Sequence, residues 1–456
     1  MSELNEIIEK LQNEINCEVK VENFTIDAWF YDNFARIEIN KAKNVIKLKL
    51  SKLNLSKIPE IVFQLSHLEE LSVDENQINV LPEDFIKLSK LRLLNLSYNK
   101  FTEFPKILQN LPNLESLNLS NNEINSLPCE AGDFANLLDL DISRNKFGKL
   151  SNCIKSFKKL SFLNLEDTGL SDLPTEFSEL TGLQILDLSN NNLENFPDVI
   201  GKLENIYRLY LNGNQLVDLP EIVTNLSKLE FLNIGFNQFK TIPKIICNFK
   251  NLRTLSVDYN QITTIPSQLN EIKSLKKLDV AGNNFTTIPN EILNLPALEE
   301  LNMIGTGLME IPEEISRLKK IKLLLLMGNQ ISELPEGLFE LKNLEHLELG
   351  LNNISVIPKS IGSLKNLKML SLSQGNSVSV LPKEIATLTK LEELDLMGNK
   401  LRLIPVFLLK MNMEINLDEG SKGIILAENP IEYPPLEVVL LGKDAIIKFM
   451  NSEKDE

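Results

Sequence analysis

The sequence predicts an α/β solenoid: a curved horseshoe with a parallel concave β-sheet and an irregular or short-helical convex side. Three observations predict it. Residue classes recur every 23 positions over most of the 456-residue chain. Inside each period a leucine-x-leucine alternation reads as a short strand with its leucines turned inward. An asparagine and a proline then hold fixed places after that strand. A unit of this length cannot bury its own apolar face, so it is stable only when stacked on neighbours.

The period is read directly. Leu68, Leu71, Val73, Asn76, Ile78, Leu81 and Pro82 return as Leu91, Leu94, Leu96, Asn99, Phe101, Phe104 and Pro105, and again as Leu114, Leu117, Leu119, Asn122, Ile124, Leu127 and Pro128. The unit is LxxLxLxxNxLxxLPxxIxxLxx, numbered below from its first leucine. Sixteen repeats begin between Val45 and Leu391, with one residue inserted near 375–379. A degenerate seventeenth, carrying Ile424, Leu426, Asn429, Ile431 and Pro435, follows an insertion over roughly 411–423.

Each column has a physical reason. Asparagine at the ninth position carries both donors and an acceptor, so it can satisfy backbone groups where the chain leaves the strand. A stack of such residues forms a ladder. Thr168 and Thr306 stand in that column, and a hydroxyl substitutes only in part. Proline at the fifteenth position fixes φ and lacks a donor, which suits the start of an irregular or single-turn helical return. Ser151 breaks that column. The apolar pair after it, Ile292 and Leu295 for example, fills the core from the convex side.

The chain is expected to divide into an N-terminal cap at 1–44, a solenoid at 45–441 and a C-terminal cap and tail at 442–456. In the first, Ile7, Ile8, Leu11 and Ile15 share a helical face. Trp29, Phe30 and Phe34 follow, and Ile37 and Ile39 alternate as in a strand.

On these columns the chain resembles the leucine-rich-repeat superfamily over about residues 45–441. The Leu-Pro step and the 23-residue length resemble the intracellular Ras-suppressor type of repeat. The segment Asn429-Pro-Ile-Glu-Tyr-Pro-Pro435 with Glu437, Val438, Gly442 and Ala445-Ile-Ile447 resembles the one that closes the repeats of Roco-type proteins. There a GTPase domain follows. This chain has no GxxxxGK[ST] phosphate loop, so the resemblance implies the closing segment and not nucleotide binding.

Composition narrows function. A net charge of −16 opposes both nucleic acid and anionic lipid. Cys17, Cys129, Cys153 and Cys247 form no CxxC pair and read as small buried hydrophobes in a reducing compartment. The N-terminus has no apolar signal core, and no apolar run is long enough to span a bilayer. The expected setting is cytoplasmic. His67 and His346 lie in distant repeats, so no catalytic or metal-binding set converges. Paired carboxylates such as Glu69-Glu70, Glu299-Glu300 and Glu392-Glu393 read as solvated. No enzyme activity and no cofactor are expected.

The expected function is protein binding on the concave face, as a scaffold or adaptor. A regulatory inhibitor of a partner enzyme and a secreted bacterial effector are the alternatives. A small GTPase is one candidate partner, and the chain is expected to be a monomer. Concave side chains come from the third, fifth, seventh, eighth and tenth positions, and most are polar, as at Asn118, Ser120, Asp141 and Asp187. Two departures mark candidate sites. Phe162, Tyr210, Phe231, Phe236 and Tyr259, with Tyr207 and Arg208 beside them, are residue types that anchor interfaces, and they are expected to form one continuous surface. Ile304, Leu323, Leu325, Met327 and Leu351, with Met369 and Met397, form an apolar stripe flanked by glycines at position eight.

Overall fold

A computed structural model describes residues 2–21, 35–129, 134–418 and 422–452. Trp29, Phe30 and Phe34 lie outside the described residues. The chain divides into two compact units, Met1–Leu229 and Glu230–Glu456.

The first unit opens with helix α1 (Ser2–Ile15), whose Leu11 and Ile15 are buried. Strand β1 (Val19–Val21) pairs parallel with β2 (Ala35–Ile39), and β2 pairs antiparallel with β3 (Val45–Lys49). From β3 onward every pairing is parallel. The strands are β4 (Glu70–Ser72), β5 (Leu93–Asn95), β6 (Ser116–Asn118), β7 (Asp139–Asp141), β8 (Phe162–Asn164), β9 (Ile185–Asp187) and β10 (Arg208–Tyr210). Each residue faces its equivalent 23 positions on, as Leu71 faces Leu94 and Leu94 faces Leu117. The period read from the sequence is thus the register of the sheet.

The second unit repeats the pattern with β11 (Phe231–Asn233), β12 (Thr254–Ser256), β13 (Lys277–Asp279), β14 (Glu300–Asn302), β15 (Leu323–Leu325), β16 (His346–Glu348), β17 (Met369–Ser371) and β18 (Glu393–Asp395). The insertion contributes β19 (Ile415–Asn416), and the degenerate repeat contributes β20 (Gly423–Ile425). β20 pairs with both β18 and β19, so the seventeenth repeat keeps its place in the sheet and the insertion adds a further strand beyond it. Helices α3 (Leu436–Val439) and α4 (Lys443–Ser452) follow, with Val439, Ile446 and Met450 buried.

On the side opposite the sheet, single 3-10 turns follow proline in nearly every repeat, as at Glu83–Lys87 after Pro82. In one repeat a short helix, α2 (Asn290–Leu293), takes that place. Proline is extended there, at φ −73° and ψ 162° for Pro82, and begins the turn without needing a donor. Ser151 does the same at φ −79°, although its hydroxyl is buried without a partner.

The leucine columns are shut off from water: Leu71, Leu94, Leu163, Leu209, Leu232, Leu301 and Leu347 are all fully buried. Each buried leucine contributes about 1.5–3 kcal/mol. Between these layers runs the asparagine ladder. Asn214 donates from Nδ2 to the carbonyls of Leu188 and Leu211, both at 3.0 Å, and accepts at Oδ1 from the Leu193 amide at 3.0 Å. Asn99, Asn122 and Asn145 likewise donate to a carbonyl of the preceding repeat. Thr168 donates to the Leu165 carbonyl of its own repeat at 2.8 Å and, at 3.1 Å, to Asn191 of the next. The inserted residue is resolved by the same ladder: Asn376, one place late in sequence, takes the column position, donating to Leu349 and Leu372 and accepting from Ile354. Asn429 closes the series with bonds to Leu396 and Leu401.

The cysteines correct the sequence reading. Cys129 and Cys153 form a disulfide, with Cα atoms 4.9 Å apart. They are 24 residues apart, one period plus one, so stacking brings them together on neighbouring turns. A buried aromatic cluster lies in the same repeats, where Phe134 stacks on Phe157 at 4.8 Å and Phe104 meets both edgewise or tilted. Cys247 fits the original expectation: it is buried, and burial pushes its thiol up to about 11.

Candidate functional site

Two structural systems engage polar side chains on and beside the sheet. At position five, an Asn or Asp side chain accepts from the backbone amide two residues on. Asn118 accepts from Ser120 at 2.9 Å, Asp141 from Ser143 at 3.0 Å, Asp187 from Ser189 at 2.8 Å and Asp279 from Ala281 at 3.0 Å. These oxygens hold the chain as it turns off the strand. Burial raises the carboxyls of Asp141, Asp187 and Asp279 above the usual aspartate range. Tyr210 and Leu325 occupy the same position and offer no carboxylate or amide oxygen to it.

At position two, charges alternate from Lys276 to Glu392. Glu299 is bridged by Lys276 at 2.8 Å and Lys322 at 2.7 Å, and Lys368 meets Glu345 at 2.5 Å. The hydrogen bonds from Lys276 and Lys322 hold the Glu299 carboxyl down at about 2. Glu299 is therefore ion-paired between repeats, and the reading of Glu299-Glu300 as solvated is corrected. Glu300 likewise meets Lys277 at 2.8 Å.

Position eight is the unexpected one. In every regular repeat its backbone is left-handed, from Glu75 at φ 52° and Tyr98 at 52° to Gly328 at 70° and Gly398 at 68°. Glycine and asparagine tolerate this conformation, whereas bulky residues are strained in it. The chain places Gly213, Gly282, Gly305 and Gly328 there, but also Phe236 at φ 50°, Tyr259 at 47° and Leu351 at 51°. Inter-repeat hydrogen bonds hold the strained backbones: the Phe236 amide donates to Asp258 at 2.8 Å and the Tyr259 amide to Ala281 at 2.7 Å. Phe236, Tyr259 and Leu351 are 53%, 52% and 46% exposed.

These rings are ordered. Phe236 stacks on Tyr259 with centroids 4.4 Å apart and planes 17° apart. The Tyr259 ring in turn lies over Gly282, where an added Cβ would fall 2.6 Å from it, so any side chain at 282 would displace the stack. Beyond it an added Cβ at Gly305 would meet nothing, and one at Gly328 only backbone. The face between Tyr259 and Leu351 is thus a trough floored by glycine backbone. Half-buried Ile304 and Met327 lie one residue before those glycines, with Leu323 and Leu325 on the strand β15.

The predicted site residues are only partly brought together. In the second unit Phe236 and Tyr259 touch, Phe231 is half-buried opposite Thr254, and Leu323 lies between Glu300 and His346. Met369 is half-buried opposite His346. Met397 is buried against Ile425 and Ala427 and leaves the stripe, because the seventeenth repeat covers it. In the first unit Phe162 and Tyr210 do not lie on adjoining strands: Ile185 and Asp187 of β9 stand between β8 and β10. The expected continuous aromatic surface is corrected to that extent. Tyr207 packs under the Arg208 guanidinium, 5.8 Å from the ring centroid. Among the described residues no group of three or more His, Cys, Asp or Glu could hold a metal ion, and no helix is long and apolar enough to cross a membrane.

Comparison with known proteins places this architecture. The chain matches the leucine-rich repeat region family over 133–237 and 312–411, and further leucine-rich repeat families over 43–101, 250–308 and 113–134. It is 32% identical to a leucine-rich-repeat protein of Leptospira interrogans, covering 92% of this chain and 97% of that one at a TM-score of 0.67. A plant peptide hormone receptor, RGFR1, solved in complex with RGF2, shares the fold at a TM-score of 0.52 and 24% identity, over 88% of this chain and 83% of that one. Among curated proteins, a probable serine/threonine-protein kinase of Dictyostelium discoideum is 46% identical over 61 residues, which span 13% of this chain and 5% of the kinase. With the repeat register, the buried leucine columns and the match to nearly the whole Leptospira chain in hand, the chain belongs to the leucine-rich-repeat family.

Proposed function

We propose that this chain is a non-catalytic binding protein that holds a protein partner on the open face of its second unit, with the Phe236–Tyr259 stack as anchor. Leucine-rich-repeat proteins generally mediate protein–protein interactions. The observation that carries the reading is the strain at position eight. Two aromatic rings occupy left-handed backbone that glycine fills without cost two repeats further on. Nothing in the core gains from them, because both project outward and stay half-exposed. Residues held in strained conformations concentrate at functional sites, and large aromatics dominate binding energy at interfaces. The adjoining glycine-floored trough gives a partner backbone room to approach.

The test is affinity capture with the full chain and with a Phe236→Gly, Tyr259→Gly double variant. A partner retained by the first and lost from the folded second supports the site. Equal capture by both rejects it.

A second reading concerns where the chain works. The Cys129–Cys153 disulfide favours an oxidising compartment, since such bonds do not persist among cytosolic thiols. It supports a secreted binding protein over a cytoplasmic scaffold. Alkylating free thiols before lysis of the native source, then counting modified cysteines by mass, distinguishes the two: two modified residues fit the first setting and four the second.

A further inference from the structure

A second surface lies away from the open face, on the flank that leads from the sheet to the 3-10 turns. Its column is position thirteen. Along the second unit that column reads Thr241, Thr264, Thr287, Glu310 and Glu333, all polar. It then turns apolar in consecutive repeats: Val356, Val380 and Leu403 are 67%, 75% and 54% exposed. Tyr433 extends the row through a parallel bridge to Leu403, with the Ile404 amide donating to its carbonyl at 3.0 Å. The preceding repeats of this unit serve as internal controls, and in the first unit Val80 is the one apolar residue in the column. They show that the fold does not require an apolar residue at this place.

The local charge is also reversed. The chain carries −16 overall. The flank segments 353–360, 377–384 and 400–407 hold Lys359, Lys383, Lys400 and Arg402 against Glu384, while the segment around Tyr433 adds Glu432 and Glu437. Arg402 meets Glu432 at 3.1 Å. The lysines rim the apolar row on both sides, one following Val356 and Val380 by three residues and one preceding Leu403 by three.

We propose that this row docks an amphipathic α-helix with an acidic flank. Spacing selects the helix. Repeats succeed one another at about 5 Å, and a helix presents one apolar side chain per turn of about 5.4 Å along a stripe at i, i+3 or i+4, and i+7. An extended strand presents same-face side chains about 6.6 Å apart and falls out of step. Charge selects the flank, because glutamates and aspartates beside the stripe meet the lysine rim. The partner at this surface is independent of whatever binds at the Phe236–Tyr259 stack.

The test is selection of a displayed library of helical peptides on the full chain, counter-selected on a Val356→Ser, Val380→Ser, Leu403→Ser variant. All three side chains are exposed, so the variant should melt with the parent. The enriched peptides should be net negative with apolar residues at helical spacing. In fluorescence anisotropy they should bind the parent at least tenfold more tightly than the variant. Should the serine variant fold poorly, a Lys359→Glu, Lys383→Glu variant takes its place and should lose the same peptides. Enrichment of basic or extended sequences, or equal binding to parent and variant, overturns the proposal. So does dimerisation of the parent that the serine variant abolishes, because it would assign the row to a second copy of this chain.

Discussion

Substituting Phe236 separates ring from backbone. Its φ of 50° is a conformation that costs an L-residue about 1–2 kcal/mol relative to the right-handed one. Alanine removes the ring and keeps that strain. Glycine removes both, at the cost of about 0.4–1 kcal/mol of extra freedom in the unfolded chain. The balance leaves Phe236→Gly more stable than Phe236→Ala by roughly 0.5–1 kcal/mol. At an ordinary position the order is the reverse, since glycine weakens strands and helices relative to alanine. Both variants lose the stack on Tyr259, worth about 0.5–1.5 kcal/mol, so that term cancels in the comparison.

Urea unfolding followed by far-ultraviolet circular dichroism reads the difference directly, with Tyr259→Ala and Tyr259→Gly as a second pair at φ 47°. The reciprocal substitution is Gly305→Phe, which introduces the same strain where an added Cβ meets no neighbour; after the same offset from the unfolded chain it should cost roughly 0.5–1 kcal/mol. Alanine proving more stable than glycine at both 236 and 259 would refute the reasoning. The rings would then sit on relaxed backbone, and their presence would need no functional account.

Other outcomes follow from the same structure. Asn214→Ala strands the Leu188 and Leu211 carbonyls and the Leu193 amide and should cost about 1–3 kcal/mol in a urea melt; an unchanged midpoint would count against the ladder. Glu299, held at about 2 in the folded chain against an ordinary 4.5, contributes stability above pH 4.5 that is lost as pH falls from there toward 2. Glu299→Gln should therefore cost roughly 1 kcal/mol at pH 7, and the deficit should shrink between pH 5 and 3. Asp187→Asn should stabilise the chain near neutral pH, because the amide oxygen keeps the bond to Ser189 and no buried charge remains; a lowered melting temperature would contradict this. Reducing Cys129–Cys153 opens a 24-residue separation and should lower stability by about 3 kcal/mol, measured with and without reductant.

The sequence was most legible where a column repeats with few departures. The leucines at positions four and six and the asparagine at nine appear in register because one physical demand, burial beside a neighbouring copy, acts on every repeat. The signal failed where the demand is conformational. Left-handed backbone at position eight leaves no apolar pattern, yet Asn121, Asn190, Gly213, Gly282, Gly305 and Gly328 in one column could have revealed it. Asn376 escaped because an inserted residue shifts it by one. Cys129 and Cys153 escaped because a separation was judged along the chain, whereas in a stack a separation near one period means contact.

A repeat protein contains its own controls, and that is the strongest argument for the surfaces proposed. At each position the other repeats show what the fold alone requires, so a departure is measured against the same backbone in the same molecule. Asn95, Asn118, Asn164 and Asn302 make the position-five bond without a buried charge, so Asp141 and Asp187 are not there for that bond. Gly282, Gly305 and Gly328 fill position eight without strain, so Phe236 and Tyr259 are not there for the turn. Threonine and glutamate serve at position thirteen from Thr241 to Glu333, so Val356, Val380 and Leu403 are not there for the flank. The departures also cluster: two rings stacked on adjacent repeats, then three valine or leucine side chains on consecutive ones. In the first unit Tyr98 at position eight and Val80 at position thirteen are departures that stand alone, so what sets the second unit apart is that its departures adjoin. Contiguity is what a single partner imposes, because it touches neighbouring repeats together.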